Sequence, residues 1–89
     1  MAQVQQVVLR RDPNSPAYVV LRARIVAARK AAGISQEVLA KLIGKPQSFI
    51  AKLERGERSV DVVELVAIGH LIDLDVVATL AAVSAEIGR

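Results

Sequence analysis

Apolar residues recur three and four positions apart along most of the chain, the spacing of amphipathic helices. Leu21, Ile25, Ala28 and Ala32 fall on one stripe, with Arg22, Arg29 and Lys30 away from it. Ser15-Pro16 supplies the start of this first helix. A side-chain oxygen stands at the cap, and a proline occupies the first helical position, where its missing N–H costs nothing. Gly33 supplies the stop, so the first helix is predicted from Pro16 to about Ala32.

Residues 35–58, SQEVLAKLIGKPQSFIAKLERGER, hold two apolar runs split by Gly-Lys-Pro. At 100° per residue, residues 36–43 bring Val38, Leu39, Leu42 and Ile43 to one side, with Ala40 at its margin and Glu37 and Lys41 opposite. Ser35 is placed to cap this short helix. In residues 47–55 the same exercise groups Phe49, Ile50 and Leu53, and leaves Gln47, Ser48, Ala51, Lys52 and Arg55 on the other arc. Gly44 can take the left-handed conformation that ends one helix, and Pro46 presets the backbone for the next. The break is therefore a sharp corner, with the small Ala40 where the helices cross.

Asp61-Val-Val-Glu64 reads as a capping box that opens a fourth helix. Its Val62, Leu65, Val66, Ile68 and Leu71 leave little polar face, which predicts a largely buried helix. Asp75 can cap a fifth, in which Val76, Leu80, Val83 and Ile87 form one stripe and Val77 and Ala81 a second beside it. A monomer core needs one stripe, so the surplus predicts a two-fold dimer contact through Val76, Leu80, Val83 and Ile87. Residues 1–14 lack a clear period and end in the turn-rich RDPNSP, so they are read as a loosely attached extension before a domain over 15–89.

Composition narrows the class. Eighty-nine residues, 53% of them apolar, fit one domain with a modest core. The chain has no Cys, which removes disulfides and thiolate metal sites and fits a reducing cytosol. No segment approaches a membrane span, and the N-terminus lacks the features of a secretory signal, so it is read as part of the mature protein. The net charge of +3 conceals a gradient: +5 over residues 1–33, +2 over 34–58 and −4 over 59–89. Such polarity fits a protein that turns one face to a polyanion.

The stretch resembles the helix-turn-helix of the phage Cro and repressor-like (XRE-type) family. The resemblance rests on Gln36, Ala40, Gly44 at the turn, Ile50 and Leu53 inside, the Ile-Ser-Gln-x-x-Leu-Ala run at Ile34–Ala40 and the closing LERGER. It extends over roughly Leu21 to Leu80 and implies an all-α, five-helix, lambda-repressor-like DNA-binding domain with its helix-turn-helix at about 35–55. Three positions depart from the pattern. Lys45 stands where an apolar residue is common, Pro46 replaces a hydroxyl cap, and Asp73 takes the place of a glycine after the fourth helix. Asp tolerates a left-handed backbone better than most residues.

The resemblance implies that the helix from Gln47 to Arg55 enters the major groove of duplex DNA while the preceding helix crosses the backbone. Gln47 is then the leading base contact, since its amide can donate to and accept from adenine at once; Ser48 and Lys52 share its face. Gln36 matches a phosphate-binding position, and Lys45, Arg55 and Arg58 flank the helix as further phosphate contacts. Arg29 and Glu54 match a structural ion pair. With only Tyr18 and Phe49 aromatic, base stacking on single strands or RNA has little support.

An enzyme is not expected, because one His, no Cys and few clustered acids provide neither a nucleophile with its base nor an acid–base pair. His70 and Asp73 are too few for a metal site, Asp73 and Asp75 are accounted for as turn and cap, and no cofactor is implied. The expected function is that of a cytoplasmic transcriptional regulator binding a two-fold operator as a homodimer. No separate sensor domain is expected at this length. The alternative is a protein-interaction module, either the antitoxin half of a toxin–antitoxin pair or a bridging coactivator.

Overall fold

The computed structural model describes residues 6–7 and 12–87. Five helices follow in order: α1 (Pro16–Ala31), α2 (Gln36–Leu42), α3 (Gln47–Arg55), α4 (Val62–Ile72) and α5 (Val76–Ile87). Among the described residues there is no strand. Most of the expected extension over 1–14 lies outside the described residues.

Local chemistry accounts for most of the helix boundaries. Ser35 Oγ accepts from the Val38 N–H at 3.1 Å and opens α2. Asp61 and Glu64 form a reciprocal capping box, Asp61 Oδ1 accepting from the Glu64 N–H and Glu64 Oε1 from the Asp61 N–H. Asp75 Oδ1 accepts from the Ala78 N–H at 2.9 Å and opens α5. The start of α1 differs from expectation: the Ser15 hydroxyl makes no cap bond, and Pro16, which has no N–H to satisfy, begins the helix. Between α2 and α3, Gly44 adopts φ 70° and the Lys45 N–H returns to the Ala40 carbonyl at 2.9 Å. Pro46 then holds an extended backbone as the cap residue of α3. After α4, Asp73 takes the left-handed turn itself, with φ 55°.

The core forms where side chains of α1, α2, α3 and α4 converge. Ile25, Leu39, Ala40, Phe49, Ile50, Leu53, Leu65, Ile68 and Ile72 are buried together, and Leu21, Ile34, Ile43 and Val76 pack around them. The last helix lies along α1 and closes the bundle. Thr79 on α5 is fully buried because its hydroxyl donates to the Asp75 carbonyl at 2.8 Å, leaving no unmet polar group.

Three burial expectations change. In α2 the inward face is Leu39, Ala40 and Ile43, whereas Val38 and Leu42 are exposed. A helix of seven residues is too short for periodicity alone to fix its orientation, which is set by packing on α3 and α4. Ala51 on α3 is buried, since a methyl group is too short to reach past its neighbours. The fourth helix is not largely buried: Leu65, Ile68, Gly69 and Ile72 face inward while Val62 and Val63 are 69% and 79% exposed.

Gly69 marks the closest approach of α4 to the start of α5. A Cβ there would stand 2.6 Å from Val76 Cγ2 and 3.3 Å from the Leu74 carbonyl oxygen. Gly69→Ala gains up to about 1 kcal/mol of helix propensity but must displace a β-branched side chain, an overpacking cost of about 1–3 kcal/mol. Urea denaturation should therefore show a net loss of stability; a gain would mean that Val76 moves freely.

Candidate functional site

The exposed face of α3 is positioned by a chain of polar contacts that begins in the interior. Arg29 and Glu54 are buried, with side chains only 10% and 7% exposed, and form a two-pronged pair. Arg29 Nε donates to Glu54 Oε2 at 2.6 Å and Nη2 to Glu54 Oε1 at 3.0 Å. Arg29 Nη1 also donates to the Ile34 carbonyl at 2.9 Å, tying the loop ahead of α2 to α1. The pair thus joins α1, the start of α2 and the end of α3.

Glu54 Oε1 also accepts from Gln36 Nε2 at 2.8 Å, and Gln36 Oε1 accepts from Gln47 Nε2 at 3.0 Å. An ionised carboxylate only accepts, so it selects which end of the Gln36 amide turns inward. The Gln36 carbonyl oxygen must then face outward, and it in turn selects the end of the Gln47 amide that meets it. The exposed Gln47 is left presenting its carbonyl oxygen and one remaining N–H. Ser48 and Lys52 are exposed on the same helix.

The flanking cations differ in how they are held. Lys45 is exposed, its Nζ 5.6 Å from the centre of the Phe49 ring. Arg55 is exposed and hydrogen-bonded to Glu57, which raises its pKa and lowers that of the Glu57 carboxyl, first through that bond and also through charge attraction. Arg58 is held against an aromatic ring. Its guanidinium lies over the Phe49 ring at 3.9 Å, with Nη2 3.8 Å from Glu64 Oε2, and the side chain stays 36% exposed.

On α5, Val76 packs against the core of its own chain, Val83 is half-buried, and Leu80 and Ile87 are exposed. The expected stripe is therefore split, because Val76 is needed beneath Gly69. Val77, from the second stripe, is 80% exposed.

His70 is exposed, and Asp73 ends α4. Among the described residues, no three His, Asp or Glu side chains gather as a metal site would require. No described helix is long and apolar enough to cross a membrane.

The Gln36–Gln47 contact and the stacking of Arg58 on Phe49 are absent from the sequence reading. Both join residues nine or more positions apart across a corner, where helical periodicity carries no information. A helix-turn-helix family model matches residues 25–77 of the chain. A comparison with curated proteins found no match.

Proposed function

The chain belongs to the Cro and repressor-type helix-turn-helix family of DNA-binding transcription regulators, and we propose that it recognises a specific duplex sequence as a homodimer on a two-fold operator, acting in the cytosol. The observation that carries this reading is the polar chain from Arg29 through Glu54 and Gln36 to Gln47. It fixes one donor and one acceptor at the exposed start of α3, the pair that matches N7 and N6 of adenine in the major groove. Ser48 and Lys52 extend the base-reading face. Gln36, with one N–H left over, and Lys45 are assigned to phosphates. Arg55 joins them by exchanging Glu57 for a phosphate, and Arg58 would do so by leaving the Phe49 ring.

Gln47→Ala should cost about 1–3 kcal/mol of discrimination at one base position. Gln36→Ala should weaken binding to every sequence and also blur the position read by Gln47, because that amide loses its orienting partner. Lys45→Ala should leave the preferred sequence intact and flatten the slope of log K against log salt by about 0.9. Binding titrations on matched and singly mismatched duplexes check all three; discrimination unaltered by Gln47→Ala would remove that residue from the reading face.

The homodimer is assigned to the exposed apolar residues of α5, with Leu80 central. Leu80→Asp should separate the subunits in sedimentation while the helical circular dichroism is kept. Two subunits would set half-sites about 34–36 Å apart. A second reading, docking to a protein partner as an antitoxin or a bridging coactivator does, is favoured by the exposure of Val62 and Val63 at the start of α4.

The deciding experiment is selection from a random duplex pool at near-physiological salt. An enriched palindrome supports the operator-binding homodimer. Salt-sensitive binding without enrichment would move the assignment to the protein-docking reading.

A further inference from the structure

A cleft of about 270 Å³ lies between α1 and the loop that joins α3 to α4. Its wall is apolar, formed by Tyr18, Leu21, Ile25, Leu53 and Val60. Two guanidinium groups, those of Arg22 and Arg58, also line it. Arg22 is drawn in by a bond from Nη1 to the Pro13 carbonyl at 2.6 Å. It lies where a side chain at position 56 would stand, 3.0 Å from the place of a Cβ, so Gly56 makes room for it.

Arg58 is under-satisfied. Its Nη1 is buried with no hydrogen-bond partner among the described residues, and Nη2 stands 3.8 Å from Glu64, beyond hydrogen-bond reach. The carboxylate that lines the cleft, Glu57, is engaged by Arg55. The cleft therefore combines an apolar wall with an excess of positive charge, and one of its two guanidinium groups carries a donor without an acceptor among the described residues, which costs stability.

We propose that this cleft binds a small organic anion, a carboxylate on an apolar body, with its head held by Arg22 and Arg58 and its body against Tyr18, Leu21 and Val60. At roughly 30 Å³ per water molecule, the volume suits a guest of about nine non-hydrogen atoms. A planar carboxylate matches the guanidinium fork and uses the apolar wall, whereas inorganic phosphate leaves that wall unused. Because Arg58 rests on Phe49, the guest would sit directly behind the helix assigned to DNA, and any effect on DNA affinity rests on that assignment.

The test is titration of the full ¹⁵N-labelled chain, without DNA, with benzoate and phenylacetate as carboxylate probes, benzamide as the uncharged counterpart, and inorganic phosphate. Saturable shifts at Tyr18 and Gly56–Val60 are expected with a carboxylate and not with benzamide or phosphate. Arg58→Gln and, separately, Arg22→Gln should each weaken binding by about 10-fold or more, the loss of a charge-assisted hydrogen bond. The spectra of the free variants report whether each is folded. Absence of saturable shifts with both carboxylates would overturn the proposal, as would equal binding of benzamide or phosphate, or affinity unchanged in both variants. Since no DNA is present, such a failure leaves the operator-binding reading untouched.

Discussion

Glu54→Ala is expected to destabilise the domain by about 3–5 kcal/mol, a large share of the roughly 4–13 kcal/mol available to a chain of this size. The reason is asymmetric. Arg29 sits almost out of water, and removing its partner leaves a buried positive charge with only the Ile34 carbonyl to meet it. Gln36 loses its inward acceptor in the same step, so whatever protein remains folded should also lose base discrimination at the Gln47 position. These two effects can be separated. Arg29→Met combined with Glu54→Leu removes both charges and should recover much of the stability, less about 1–3 kcal/mol for the orphaned Ile34 carbonyl. It should not recover discrimination, because a Leu offers Gln36 nothing to bond. Urea denaturation and duplex titration on the single and double variants read the two effects independently. A Glu54→Ala protein within about 1 kcal/mol of the parent would mean that water reaches the pair.

The second large effect is Ile50→Ala, with an expected loss of about 2–5 kcal/mol. Ile50 is fully buried among the residues that tie α3 to the core, and truncating it leaves a cavity that the helices packed on α3, α2 and α1, can close only by moving. Val63→Ala is the matched control: the side chain is largely exposed, and its loss should stay within about 0.5 kcal/mol. If Val63→Ala instead destabilised the protein in a concentration-dependent way, the exposed start of α4 would be the contact between subunits, in place of the assigned face on α5.

The contrast between those positions marks how far the sequence alone carries. Helix boundaries were legible because they are written in local chemistry: Ser35, the Asp61–Glu64 box, Asp75, and Gly44 at the corner act on neighbours within a few residues. The face that each helix buries was less legible. Val38 and Leu42 belong to the apolar side of α2 by angle, yet the core takes Leu39 and Ala40, because a two-turn element is oriented by what it packs against. Arg29 falls outside the apolar stripe of α1 and is nonetheless buried, since Glu54 supplies what water would. Only the family resemblance placed those two together. The same limit applies to the assigned contacts, where the residue types were readable but the hand-off from Glu54 to Gln36 to Gln47 depends on side chains meeting across the corner. For Arg58, the stacking on Phe49 likewise depends on side chains nine residues apart meeting beyond the end of α3.

The bond between Gln36 and Gln47 bears on how such a protein changes its target. A substitution at position 47 alone leaves the carbonyl oxygen of Gln36 to water, and one at position 36 alone releases the amide of Gln47. On the proposed reading, the two sites vary as a couple, and the route from one operator to another runs through paired replacements. A library that diversifies α3 while holding position 36 constant should return mostly weak or indiscriminate binders, whereas one that randomises both positions opens the alphabet.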